Sequence, residues 1–90
     1  LNAVQRKKIA ELDRQWQVYK NFEEEKIQIT KTRLQREINK ENPDINLIDK
    51  YQREIFDLEQ HVKHQKFNND LEKRFVLNPE QSLKFIRQSN

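Results

Sequence analysis

The sequence predicts an all-α protein: one long antiparallel helical hairpin followed by a short C-terminal helix. Three observations carry that prediction. The 90 residues contain no glycine, no cysteine and two prolines, so the residues that make tight β-turns, phosphate-cradling loops, disulfides and thiolate metal sites are missing. Apolar residues recur at gaps of three and four, the spacing of one helix face. The interior turn signal is Asn42-Pro43, where proline has no N–H to donate and pushes the residue before it out of the α region.

Taken in order, the first stripe is Ile9, Leu12, Trp16, Tyr19 and Phe22, continued more sparsely by Ile27, Leu34 and Ile38. Helix formers fill the interval, which places helix 1 over about residues 3–40. Glu41, Asn42, Pro43 and Asp44 reverse the chain, with the turn over about 41–46. A second stripe, Ile48, Tyr51, Ile55, Leu58 and Val62, has the same rhythm and then shifts phase to Phe67, Leu71 and Phe75. Helix 2 is expected over about 46–76. Pro79 suits the first position of a third helix, expected over about 79–88 and carrying Leu83, Phe85 and Ile86. No composition shift divides the chain, so residues 1–90 are read as a single helical-hairpin domain.

Composition narrows the function. With 33% apolar and 37% charged residues and a mean hydropathy of −1.21, a chain of this length is too polar to bury a thick core alone. Two long helices joined by a short turn cover only one apolar face of each other, so part of the stripe remains for a second chain and a homodimer is expected. The net charge of +3 and the regular apolar spacing argue against disorder. No apolar run is long enough to span a bilayer and no signal-peptide core is present. The start at Leu1 is expected to mark a mature or truncated form. No enzyme is expected, because Ser82, Ser89, Thr30 and Thr32 have no histidine partner by spacing and Glu23 to Glu25 fall on an open helix. No nucleic-acid partner is expected either: the pI is about 9.3, but the basic residues are interleaved with acids and form no uniform stripe.

The two ends carry the most informative local pattern. Leu1, Asn2 and Gln5 form L-N-x-x-Q, and Leu77, Asn78, Pro79, Glu80 and Gln81 repeat that spacing as L-N-P-E-Q. Each reads as a helix start, with asparagine as N-cap and glutamine reaching back as a capping box. This paired motif resembles that of the LTxxQ family of periplasmic stress proteins, which includes the Spy and CpxP chaperone type, the ZraP zinc-associated type and the CnrX heavy-metal sensor type. Asparagine replaces the threonine in both copies and preserves the cap. Pro43, Asp44, Ile48 and Asp49 are similar to the hairpin turn of the heavy-metal-resistance branch, and Phe75 to Phe85 is similar to its closing segment. The resemblance implies a hairpin that dimerises into a curved cradle in the bacterial periplasm, either free after signal-peptide removal or tethered by an N-terminal anchor outside this chain. It implies a holding chaperone or stress adaptor for unfolded envelope proteins that works without ATP. The alternatives are a heavy-metal sensor or resistance protein signalling to a membrane-bound partner, and a cytoplasmic coiled-coil interaction module outside this family.

Two candidate sites follow. Counting outward from a turn centred near Pro43 sets His61 opposite about Glu25 and His64 opposite about Phe22. His61 and His64, with Asp57 one turn earlier and Glu24 and Glu25 across the hairpin, resemble a site for a divalent ion such as Zn, Ni, Co or Cu. No cofactor is required by the rest of the chain. Where the sensor branch places His and Met before the last motif, Asn69 and Lys73 stand here. The second site is for clients: Trp16, Tyr19 and Phe22 are expected to face Phe67 and Leu71, mostly as core, with the exposed remainder bordered by Lys20, Lys66 and Arg74 to draw in unfolded chains.

Overall fold

The computed structural model describes residues 1–77 as two helices, α1 over Ala3–Ile38 and α2 over Ile45–Val76, joined by a short turn into a helical hairpin. The expected third helix, together with Asn78, Pro79 and Gln81 of the second motif, lies outside the described residues. Among the described residues, no helix is long and apolar enough to cross a membrane.

Helix α1 opens on the motif. The Asn2 side chain accepts the Gln5 N–H at 2.8 Å, and the Gln5 side-chain oxygen accepts the Asn2 N–H at 3.1 Å. That reciprocal pair is a capping box and satisfies two N–H groups for which the helix itself offers no acceptor. At the far end, Asn39 N–H reaches the Gln35 carbonyl at 3.1 Å and Lys40 N–H reaches that of Glu37 at 3.2 Å. The second bond spans three residues and tightens the chain out of the helix. The turn therefore occupies residues 39–44 and not 41–46.

Helix α2 begins on Asp44, whose Oδ1 accepts from Asn46 N–H at 3.0 Å and Leu47 N–H at 3.2 Å. The side that joins the helices is Glu37, only 4% exposed. Its carboxylate accepts from the Lys40 ammonium at 2.6 Å and from the Asp44 N–H at 3.0 Å. One residue thus ties the last turn of α1 to the first residue before α2. The Lys40 hydrogen bond, then the Asp44 backbone bond, hold the Glu37 carboxyl below its ordinary 4.5.

The chain divides into two compact units: Tyr19–Lys63, which holds the turn, and Leu1–Val18 with the chain from His64 on. In the turn unit, Tyr19, Glu23, Ile27, Thr30, Leu34 and Glu37 of α1 are buried or half-buried, as are Ile48, Tyr51, Ile55, Leu58 and Val62 of α2. The α2 stripe is the expected one. The α1 stripe is corrected at two positions, since Phe22 and Ile38 are exposed and their neighbours Glu23 and Glu37 are buried. Each residue turns a helix by about 100°, so once Tyr19, Ile27 and Leu34 face α2, residue 23 comes inward and residue 22 points aside.

Glu23, Thr30 and Glu37 recur at the interval of one heptad position. Each is satisfied locally. Glu23 accepts from Lys26 at 3.2 Å, the Thr30 hydroxyl donates to the Lys26 carbonyl at 3.0 Å, and Glu37 closes the turn. Among the described residues, the buried hydrophobic side chains are Leu12 and Ile27. Interhelical burial is accordingly thin, and polar groups supply much of the register.

Candidate binding surface

In the unit formed by Leu1–Val18 and the chain from His64 on, α1 turns Ile9, Leu12 and Trp16 inward, while α2 answers with Gln65, Asn69, Lys73 and Val76. The expected phase shift to Phe67, Leu71 and Phe75 does not carry those residues into the seam. They are 63%, 36% and 79% exposed. The inward face of α2 keeps its three-four spacing through polar residues, and the three apolar ones fall on the opposite side of the helix.

Polar contacts join the helices here. The Asn69 side-chain amide donates to the Leu12 carbonyl at 2.8 Å, and the Gln5 amide donates to the Val76 carbonyl at 3.0 Å. Lys73, 6% exposed, is paired with Asp13. The Lys66 ammonium lies 6.0 Å from the centre of the Trp16 ring, at the outer range of a cation–π contact. It also binds Asp70 at 2.7 Å. The expected pairing of Trp16 with Phe67 and Leu71 is thereby corrected: Trp16 meets a lysine, because Phe67 and Leu71 are on the outer side of α2.

In the turn unit, Tyr19 packs against His61, with ring centres 6.0 Å apart and planes tilted by 58°. Burial, and then the Glu23 carboxylate, push the Tyr19 phenol above its ordinary 10.0. His61 is thus opposite Tyr19 and not Glu25, a correction to which the turn contributes: over residues 39–44 its centre lies before Pro43, which moves pairings toward the start of α1. Phe22 is 59% exposed, with the Lys26 ammonium 4.5 Å from its ring centre. Lys20 is half-buried and 3.9 Å from Glu24. Ile29 and Phe56 are also exposed in this unit.

The residues read as metal ligands are distributed as follows. Asp57 and His61 line an open depression on α2 with Glu54 and Leu58. Glu24, Glu25 and His64 are exposed. Among the described residues, no three or more His, Cys, Asp or Glu side chains come together as a metal-holding group. Of the motif residues, Leu1 is exposed, Leu77 is half-buried, and Asn2 and Gln5 form the cap already described.

The sequence reading missed the inward polar residues Glu23, Thr30, Glu37, Gln65, Asn69 and Lys73. For the first three the signal was their seven-residue recurrence beside an apolar stripe; for the others it was the continued spacing beyond Val62. The surface left by this arrangement is chemically distinctive: polar side chains hold the seam while phenylalanines and aliphatics stand outside among lysines. No family model matches the chain, and no curated protein or solved structure matches it.

Proposed function

We propose that this protein is a holding chaperone or stress adaptor, which binds unfolded polypeptides through apolar side chains carried on the outside of a helical hairpin. The supporting observation is the stripe Phe67, Leu71 and Phe75, at four-residue intervals on one side of α2 and exposed along its length. Single exposed apolar residues are ordinary, but a run along one helix face is the usual mark of a contact surface. In the turn unit Phe22, with the Lys26 ammonium over its ring, has the same character. Lysines beside aromatic rings draw in acidic or partly unfolded chains before apolar contact forms. Nothing in this mode of binding requires ATP or a cofactor.

The reading extends to a homodimer that shares this surface, and to the periplasm, on the strength of the paired L-N-x-x-Q motif. The test is suppression of aggregation. At near-stoichiometric amounts the protein is expected to keep an unrelated unfolded protein in solution, with or without chelator. The double variant Phe22→Ser, Phe67→Ser is expected to keep its helicity and lose the effect. Absence of suppression by the unaltered chain would overturn the proposal. A gene start encoding neither a signal peptide nor a membrane anchor would remove the periplasmic part.

A further inference from the structure

We propose that the outer stripe of α2 is covered by the same stripe of a second copy, packed antiparallel about a two-fold axis at Leu71, and that this pairing caps the stripe until an unfolded client displaces it. This rests on the holding function and assigns its regulation. Phe67, Leu71 and Phe75 form one ridge of the helix at four-residue intervals, and they are 63%, 36% and 79% exposed. Ridges of that spacing interdigitate with one another in the commonest class of helix packing, so the stripe is complementary to itself. A two-fold axis at Leu71 sets Leu71 against its own copy and each Phe67 beside the other chain's Phe75.

The exposed area and the charges both suit that occupant. At about 200 Å² for a whole phenylalanine, the two rings leave roughly 280 Å² per copy to be covered. One side of a standard interface contributes about 800 Å², a little over half of it apolar, so the two rings supply most of the apolar part. Lys66, Asp70 and Arg74 form the adjoining ridge, also at four-residue intervals. An antiparallel two-fold places this edge of one helix against the same edge of the other. Side chains lean toward the start of their own helix, which carries Arg74 of each copy toward Asp70 of the other. Asp70 is half-buried and accepts from Lys66 on both carboxylate oxygens, at 2.8 and 2.7 Å. A carboxylate has about four acceptor positions, so an arginine can join the lysine. A parallel pair would instead set Asp70 against Asp70 and Arg74 against Arg74. An unfolded client offers no such fixed ridge and charged edge, which makes a second copy the resting occupant.

The test combines sedimentation equilibrium of the full chain with anisotropy of a labelled disordered peptide rich in leucine and phenylalanine, and circular dichroism checks that helicity is unchanged. The unaltered chain is expected to pair at micromolar concentrations. Asp70→Arg and Arg74→Asp are each expected to weaken pairing roughly tenfold or more, because each sets like charges together at both contacts. The double variant Asp70→Arg, Arg74→Asp is expected to regain it. Where about nine in ten copies are paired, either single variant is expected to bind the peptide about tenfold more tightly than the unaltered chain, since only the unpaired tenth of the latter is competent. The two variants change charge in opposite directions, so a gain common to both reports uncapping and not attraction. A monomer at all concentrations, or a double variant no better than the single ones, would overturn the two-fold pairing and leave the stripe to clients alone. Single variants that lose pairing without gaining peptide would overturn the cap. Pairing with the expected charge response but no peptide bound by any form would instead overturn the holding function itself.

Discussion

Leu12→Ala is the perturbation that best tests a hairpin with so little buried carbon. Leu12 is 2% exposed, and with Ile27 it makes up the buried hydrophobic side chains among the described residues. Shortening it to alanine removes three carbons, and at about 0.8 kcal/mol each the lost transfer term is roughly 2.4 kcal/mol. A cavity term adds to this, but only in part, because Asn69 lies across from Leu12 and the flanking Ile9 and Trp16 are half-buried and able to close in. The expected loss is about 3 kcal/mol, equivalent to a fall in melting temperature of roughly 12–24 °C for a chain of this size. Phe67→Ala, which removes a larger side chain that is 63% exposed, is expected to cost no more than about 0.5 kcal/mol. The assay is urea and thermal unfolding followed by circular dichroism at several protein concentrations, so that any contribution from self-association shows as a shift in midpoint. If Leu12→Ala cost less than about 1 kcal/mol, or Phe67→Ala cost as much as Leu12→Ala, the inward and outward assignment of the seam would be wrong.

Three further outcomes follow from the same contacts. Because Lys40 and the Asp44 N–H lower the Glu37 carboxyl below its ordinary 4.5, its contribution is fully present above that value and lost as pH falls through the lowered one. Lys40, raised above its ordinary 10.5 first by its hydrogen bond to Glu37, contributes below that value and loses its part as pH rises through the raised one. Stability of the turn is thus expected to be level between those limits; Glu37→Gln should remove the acid step, and a low-pH loss as large in that variant as in the unaltered chain would refute the latch. Gln5→Glu keeps an acceptor for the Asn2 N–H but has no N–H for the Val76 carbonyl, so hydrogen exchange is expected to speed up at the end of α2 while the start of α1 stays protected. Equal protection at the end of α2 in both proteins would count against the tie. Calorimetric titration with Zn, Ni, Co or Cu is expected to give no heat that depends on His61 and His64; a saturable heat lost in the double alanine variant would revive metal sensing.

The existence and length of α1 and α2 were legible because they rest on local chemistry: the helix-forming interval, the Asn2 and Gln5 box, and the break at Asn42-Pro43. Facing was only partly legible. An apolar stripe identifies the seam where it is apolar, as from Ile48 to Val62, but Glu23 and Glu37 come inward by helical phase and are accommodated because lysines and a backbone N–H satisfy them. Periodicity counted over hydrophobic residues alone therefore chose Phe22 and Phe67 for positions that belong to Glu23 and Asn69. The cross-hairpin pairing failed for a different reason. It was measured from Pro43, whereas the turn over 39–44 is centred earlier, and each residue of error in the pivot moves a pairing by two; the Tyr19 side chain reaches His61 where Glu25 was expected.

The brevity of the bend between Ile38 and Ile45 also bears on how the chain reaches its native state. Ends separated by so few residues meet at small entropic cost, and the Glu37 to Asp44 bond is the first interhelical closure available. The Gln5 to Val76 bond joins residues 71 apart in sequence and is expected to close later, because loop closure costs more as the loop lengthens. Mutations near Glu37 should then slow refolding, and mutations at Gln5 should act on the unfolding rate alone, a division that a chevron plot would expose.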